Sequence, residues 1–166
     1  MRWRGRFIEA VTEGRWEYVR RVKGQGAAVI YAVTDADELV LVEQYRVPLG
    51  RPAIELPAGI VGDEAGKGDE DPLAAAAREL EEETGFRART MVPVGDYVTT
   101  PGLASEEFTL VRADGLERVG AGGGVEGEDI TVHLVPRADL PAFLRAAAAR
   151  GAAVDKILAG LVLAAL

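Results

Sequence analysis

The segment Arg78-Glu79-Leu80-Glu81-Glu82-Glu83-Thr84-Gly85-Phe86 is the most informative stretch of this 166-residue chain. Upstream, Asp71 suits the N-cap of a helix and Pro72 suits its first position. Gly85 suits the left-handed residue that commonly follows a helix C-terminus. The sequence therefore predicts a helix over Pro72–Thr84 whose last turns carry a run of glutamates.

Three of these glutamates, Glu79, Glu82 and Glu83, are spaced i, i+3 and i+4 and so share one helix face. Like charges at these spacings cost about 0.2–0.5 kcal/mol per pair, and they also face the negative end of the helix dipole. A divalent cation would turn this repulsion into coordination. Carboxylates without a nearby His or Cys favour Mg²⁺, with Mn²⁺ as a substitute, over zinc. The alternative is a solvated acidic face, and spacing alone gives it about equal weight.

With its flanks, the segment resembles the signature box of the Nudix hydrolases: a Gly, a Glu, then Arg-Glu-apolar-x-Glu-Glu-x-Gly-apolar. Glu70 fills the first Glu position and residues 78–86 fill the remaining ones. The position of the opening Gly holds Glu64, and Gly59 is its counterpart. The loop over residues 60–69 therefore carries five extra residues relative to the box.

The resemblance extends to the ADP-ribose pyrophosphatase branch of that family. It is carried by Glu43–Arg46, Glu55–Gly59, Thr100–Gly102 and Glu126–Ile130, and it covers most of residues 6–140. It implies an α+β fold, with a mixed β-sheet sandwiched between helices and an N-terminal β-hairpin.

The chain is expected to form a single domain over residues 1–166, in which residues 1–25 supply the N-terminal strands. Hydrophobic periodicity and turn residues predict most of the elements. They are a first hairpin of Arg6–Ala10 and Trp16–Val22, a second hairpin of Ala27–Val33 and Leu39–Tyr45, strands at Ala53–Leu56, Met91–Tyr97, Phe108–Arg112 and Ile130–Val135, and further helices at Leu140–Ala149 and Val154–Ala165.

Composition excludes several classes of protein. A net charge of −8 argues against a nucleic-acid surface, because phosphate backbones attract Lys and Arg. The chain has no cysteine, which fits a reducing compartment. The N-terminal arginines precede no apolar run, so no signal peptide is expected, and the apolar run Ile157–Leu166 is too short to span a bilayer. We therefore expect a soluble cytoplasmic protein that binds neither nucleic acid nor membrane.

The resemblance implies Mg²⁺-dependent hydrolysis of the pyrophosphate of ADP-ribose or a related ADP-sugar to AMP and a sugar phosphate. The implied metal ligands are Glu79, Glu82, Glu83 and the carbonyl of Ala58, with Glu82 also counted as catalytic. Arg46 is expected to clamp a phosphate; the alternative is a surface arginine that closes a hairpin.

The glycine-rich segment Gly120–Asp129 has two interpretations. One is a disordered connector. The other, favoured by its two carboxylates, is a mobile lid that brings a general base over the metal site. Glu126 is the first candidate for that base, and Glu128 is its helper or alternate.

The N-terminal strands carry a dense group of aromatic residues, which includes Trp3 and Tyr18. The resemblance implies that Trp16 and Phe7 sandwich an adenine base. It also implies a homodimer built on these strands, and aromatic residues are enriched in the cores of interfaces. The alternative is that the aromatic side chains only cap the sheet of their own protomer.

Three side chains near the motifs receive other roles. His133 is interpreted as structural, because it is the single histidine of the chain. Arg78 is expected to pair with Glu81 or Glu82 and to orient a ligand carboxylate. Glu55 is either an outer metal ligand or a solvated carboxylate.

Two other functions stay open. One is pyrophosphatase activity on another nucleoside diphosphate derivative, such as GDP-mannose or a dinucleotide. The other is a non-catalytic nucleotide-binding Nudix domain, against which the intact set of three glutamates argues.

Overall fold

The structure is a computed structural model that describes residues 2–23, 26–62, 69–125 and 127–164. The predicted insertion of five residues falls mostly on 63–68, outside the described residues. The first long helix, α1, spans Pro72–Thr84 as predicted. The Asp71 carboxylate accepts a hydrogen bond from the Leu73 N–H (2.7 Å), and Gly85 adopts a left-handed φ of 71°. Local capping chemistry therefore sets both ends of this helix.

The remaining elements follow in chain order. The strands are β1 Trp3–Arg4, β2 Ile8–Glu13, β3 Trp16–Arg21, β4 Ala27–Ala32, β5 Glu38–Arg46, β6 Arg51–Glu55, β7 Ala58–Ile60, β8 Phe86–Val98, β9 Glu107–Arg118, β10 Ile130–Pro136 and β11 Ala153–Val154. The other helices are α2 Leu140–Ala149 and α3 Lys156–Ala164, and single 3-10 turns occupy Val47–Leu49 and Arg137–Asp139.

These strands form three sheets in the part of the chain that the structure describes. The N-terminal sheet is antiparallel in the order β1-β2-β3. The other two are four-stranded and mixed, in the orders β7-β4-β9-β8 and β10-β5-β6-β11, with β4/β9 and β6/β11 as their parallel pairs. The expected α+β class, the mixed sheets and the N-terminal hairpin are confirmed.

Alternating residues of β4 point into two hydrophobic cores. Ala28 and Ile30 pack with Leu80 of α1, whereas Val29 packs with Leu144 of α2 and with α3. The strand layer is therefore covered by α1 on one side and by α2 and α3 on the other.

The predicted second hairpin is wrong. Its two strands form as β4 and β5, but beyond one bridge between Val33 and Leu39 they separate into different sheets. Both strands are apolar on both faces, so each needs cover above and below it, which is typical of central strands. Ile30, Val40 and Leu41 have no exposed surface. A short turn between two strands favours their pairing, but tertiary burial decides which strands pair.

The helix α3 begins two residues later than predicted. Ala153 and Val154 pair in parallel with Ala53 and Ile54 of β6, which is a contact between distant parts of the chain. The apolar side chains of α3 pack into the core, and Leu158 is fully buried there. Within residues 2–23, 26–62, 69–125 and 127–164, no helix has the length and apolar character needed to cross a bilayer.

The loop between β8 and β9 binds the N-terminal sheet to the rest of the domain. The Val19 N–H donates to the Leu103 carbonyl (2.9 Å), and the Ser105 N–H donates to the Val19 carbonyl (3.1 Å). An ion pair between Arg21 and Glu106 adds to this contact. The segment Thr100–Gly102 therefore lies beside the hairpin that carries Trp16.

Candidate active site

Glu83 is the most unusual carboxylate of the acidic helix face, because only 4% of its surface is exposed. Its Oε2 accepts a hydrogen bond from the Ala58 N–H of β7 (3.0 Å). Burial raises the pKa of Glu83 to about 8, and the charges of Glu79 and Glu128 add to the rise. The hydrogen bond from Ala58 and the charge of Arg46 lower it by less. Near neutral pH, Glu83 of the metal-free chain therefore holds a proton.

Glu79 occupies space that only a glycine at position 59 leaves open. A Cβ added to Gly59 would lie 1.9 Å from the carboxylate carbon of Glu79. Gly59 lies next to Ala58, whose amide binds Glu83. Strand β7 thus meets two of the three predicted metal ligands through its backbone.

Arg78 holds the acidic face together. Its Nη1 donates to Glu79 (2.8 Å) and to Glu82 (3.2 Å), and its Nη2 donates to Glu70 (3.3 Å). Burial lowers the pKa of the Arg78 guanidinium. The hydrogen bond to Glu70 and the charge of Glu79 outweigh this effect, so the pKa is raised. The predicted pairing with Glu82 is confirmed.

Glu81 pairs differently from the prediction. It lies on the opposite side of the helix and binds Arg87 of β8 (2.8 Å) instead of Arg78. Both groups are largely exposed, so this pair contributes little to stability.

Arg46 makes a two-pronged pair with Glu55, in which its Nε donates to Oε1 (3.0 Å) and its Nη2 donates to Oε2. The hydrogen bonds that Arg46 donates to Glu55 raise the pKa of Arg46, and the charges of Glu83 and Glu128 act in the same direction. The structure therefore brings Arg46 into the electrostatic environment of the acidic face. Glu55 orients this arginine instead of standing free in solvent.

Glu128 joins the same environment, since its charge acts on both Glu83 and Arg46. Its Oε2 accepts a hydrogen bond from the Val125 N–H (3.0 Å). The other base candidate, Glu126, lies outside the described residues.

The segment Val119–Gly124, here called the glycine strap, includes the first half of the predicted lid Gly120–Asp129 and is bound to the end of α1 through its backbone. Four of its backbone N–H groups donate to carbonyls at the end of α1. Val119 and Gly120 bind the Gly85 carbonyl (2.8 and 3.1 Å), Gly123 binds that of Glu83 (2.8 Å), and Gly124 binds that of Glu82 (3.0 Å). Here the glycines allow the backbone of the strap to lie close to the end of α1, whereas the sequence suggested that they make the segment flexible.

The donor set of the acidic face fits a hard divalent cation. It offers carboxylates and a neighbouring backbone segment, without nitrogen or sulfur ligands. Among the residues that the structure describes, no three acidic or histidine side chains already converge on one point. Glu79 and Glu82 turn toward Arg78 and Glu83 turns toward Ala58, so a cation would have to draw these carboxylates together.

The two aromatic residues expected to sandwich a base do not meet within one protomer. Trp16 begins β3 opposite Glu13, whereas Phe7 precedes Ile8, which pairs with Arg21 at the other end of the hairpin. Five residues of strand separate these ends, which corresponds to roughly 17 Å.

Trp16 instead borders a cavity of about 580 Å³ between the N-terminal hairpin and the β8–β9 loop. The cavity is lined by Glu13, Gly14, Trp16, Tyr18, Pro101, Gly102, Ala104 and Ser105. The Tyr18 hydroxyl donates to Glu13 inside it (3.2 Å). The sequence held no signal for this cavity, because its two walls lie about 85 residues apart along the chain.

His133 has the surroundings of a structural residue. Its Nε2 lies 2.8 Å from Glu43 of β5, and its ring centroid lies 5.1 Å from that of Phe143 in α2. Arg150 binds the same carboxylate. The histidine therefore connects β10 to β5 and α2.

Comparison with known proteins agrees with the fold. Residues 23–156 match the NUDIX domain, and the chain belongs to this family. It is 40% identical over 114 residues to the methanol dehydrogenase activator of Bacillus methanolicus (69% of this chain, 58% of that protein). It is 44% identical over 95 residues to the ADP-ribose pyrophosphatase of Bacillus subtilis strain 168 (57% and 49%).

A crystal structure of an ADP compounds hydrolase superposes with a TM-score of 0.63 at 23% identity, over 83% of this chain and 80% of that one. At this identity the likeness is one of fold. The chain spans about half the length of the curated relatives it matches.

The raised pKa of Glu83 predicts a pH dependence in metal-free buffer. The folded chain keeps this proton up to pH about 8, whereas an unfolded glutamate loses it near 4.5. The resulting stabilisation is complete below the unfolded value and is lost as pH rises through the folded value. We expect the free energy of unfolding, measured by urea denaturation from about pH 5 to about pH 9, to fall more steeply for the wild type than for Glu83→Gln.

The matched control is Glu81→Gln, since the exposed Glu81 has a pKa lowered by its hydrogen bond from Arg87. This variant should retain the wild-type slope over the same pH range. Equal slopes for the wild type and Glu83→Gln would contradict the assignment of a protonated Glu83.

Proposed function

We propose that this chain is a Mg²⁺-dependent pyrophosphatase that hydrolyses ADP-ribose or a related ADP-sugar to AMP and a sugar phosphate. The observation that carries the proposal is the buried Glu83 beside Glu79 and Glu82, on a helix whose end is bound by neighbouring backbone. A solvated acidic face would not bury one carboxylate and pack another against a glycine. The similarity to the ADP-ribose pyrophosphatase of Bacillus subtilis supports the choice of an ADP-linked substrate.

In this mechanism, Glu79, Glu82, Glu83 and the Ala58 carbonyl would hold the metal, while Arg78 orients Glu79 and Glu82. The bound cation supplies neutralising charge for the phosphate oxygens and makes the attacking water more acidic. Mn²⁺ would be a substitute of the same ligand preference.

The reaction needs a phosphate contact and a base. Arg46 would bind a phosphate oxygen, since a guanidinium has five N–H donors and its pair with Glu55 uses two of them. Water attacks one phosphorus in line, the bond from that phosphorus to the bridging oxygen breaks, and the bridging oxygen leaves on the other phosphate. A loop carboxylate, Glu126 or Glu128, accepts the proton of the water.

The activity is tested on a panel of ADP-ribose, ADP-glucose, GDP-mannose and a dinucleotide, with and without Mg²⁺, with the released products assayed. We expect Mg²⁺-dependent cleavage of ADP-ribose by the wild type. Glu82→Gln keeps size and helix propensity but removes a ligand charge, so kcat should fall by about two or more orders of magnitude.

Glu81→Gln is the matched control, because it removes a neighbouring carboxylate that faces Arg87. It should leave kcat close to that of the wild type. Wild-type turnover by Glu82→Gln would contradict the metal assignment. Preference for GDP-mannose would contradict the adenine assignment, and nucleotide binding without cleavage would favour a non-catalytic domain.

We propose that the adenine base binds in the cavity beside Trp16, because the exposed indole of Trp16 is available for stacking. Stacking contributes about 1–3 kcal/mol per base, so Trp16→Ala should raise KM for ADP-ribose by roughly 5- to 150-fold. It acts equally on the ground state and the transition state, so kcat should change little. Steady-state kinetics measure both constants.

Leu163→Ala removes an exposed apolar side chain of α3 that lies outside both this cavity and the N-terminal sheet, and its KM should match that of the wild type. An unchanged KM for Trp16→Ala would refute the base site.

We also propose a homodimer that buries the N-terminal sheet. Trp3 and Phe7 are 57% and 67% exposed in a single protomer, and Ile8 beside them is 41% exposed. Phe7 would pack in this interface and would contact the adenine bound to the second protomer. Light scattering at micromolar concentration should give twice the mass of one chain, because burial of these side chains favours association. A monomer over this range would exclude the dimer.

A further inference from the structure

The glycine strap connects two parts of the acidic site through the backbone. Its amides bind the peptide carbonyls of Glu82 and Glu83, the same residues whose side chains are candidate ligands. Immediately beyond the strap, Val125 and Glu128 exchange two hydrogen bonds: the Glu128 N–H donates to the Val125 carbonyl, and the Val125 N–H donates to the Glu128 carboxylate, both at 3.0 Å. A continuous set of hydrogen bonds thus runs from the helix to Glu128.

We propose that the glycine strap is a positioning element, which sets the place of Glu128 relative to the metal-binding glutamates of α1. This inference rests on the proposed function. The last carbonyls of a helix have no partner within the helix, and here the strap provides their donors. These N–H dipoles also offset the negative charge that Glu82 adds to the negative end of the helix.

Gly122 is the residue on which this contact depends. Its φ is +70°, and an added Cβ would lie 2.4 Å from the Thr84 carbonyl carbon and 2.8 Å from the Glu83 carbonyl oxygen. Both neighbours are helix backbone, so a side chain at position 122 has to push the strap away from α1. The hydrogen bonds to Glu82 and Glu83 would lengthen, and Glu128 would shift with the strap.

Gly122→Ala therefore tests the positioning role. A displacement on the order of 1 Å in a catalytic site can lower the rate by about 100-fold, so we expect kcat to fall roughly 10- to 100-fold with KM nearly unchanged. We also expect the dissociation constant for Mn²⁺, titrated calorimetrically without substrate, to rise roughly 10-fold or more. Circular dichroism should show a native fold.

Gly151→Ala is the matched control for left-handed strain. Gly151 has a φ of +94°, follows α2, and has no other atom within 4 Å of an added Cβ. This variant should retain the kcat and the Mn²⁺ affinity of the wild type.

Gly124→Ala acts on the other end of the connection. An added Cβ would lie 2.5 Å from Oε2 and 2.8 Å from Cβ of Glu128, so this variant should displace the Glu128 side chain, and circular dichroism should show that it folds. We expect its kcat to fall by a similar factor with a smaller change in Mn²⁺ affinity.

The outcomes separate the strap from the proposed function. If Gly122→Ala loses only thermal stability and keeps the kcat and the Mn²⁺ affinity of the wild type, the positioning role is overturned. Gly124→Ala with wild-type kcat also overturns it. If the wild type cleaves no member of the panel, the proposed function fails, and the Mn²⁺ titrations of Gly122→Ala and Gly151→Ala still decide whether the strap organises the acidic face.

Discussion

The burial of the Glu83 carboxylate against the Ala58 amide is the contact on which the rest of the site depends. Removing a carboxylate from water costs free energy unless the group is hydrogen-bonded, paired or protonated. Here one backbone N–H donates a hydrogen bond to Glu83. Because the pKa of Glu83 is raised, the carboxyl group also holds a proton in the metal-free chain. Because this amide belongs to β7, the end of α1 is fixed against the sheet at the point where its negative charge is greatest.

The charges around Glu83 are balanced by groups from three parts of the chain. Arg78 lies on the same helix and joins Glu79 and Glu82. Arg46, at the end of β5, acts from across the site while bound to Glu55. The glycine strap contributes backbone dipoles to the helix end. The result is an acidic cluster in which each described carboxylate is held by a donor, and a divalent cation would replace part of this arrangement instead of entering an open cage.

The N-terminal sheet has a separate role from the acidic cluster. It is fastened to the domain by the β8–β9 loop through Val19, and the cavity beside Trp16 lies at this junction. The proposed base-binding surface therefore lies on segments other than the acidic helix.

The sequence by itself determined α1, its acidic face and the alternation of the strands, because capping residues and hydrophobic periodicity act over a few residues. Asp71, Gly85 and the Glu79–Glu83 spacing are local features, and the structure reproduces them. Only the tertiary structure decided that β4 and β5 enter different sheets, that Glu83 is buried, that Phe7 and Trp16 lie at opposite ends of a hairpin, and that the glycine strap closes α1. Each of these depends on which distant segments exclude water from one another, and no short window of sequence contains that information.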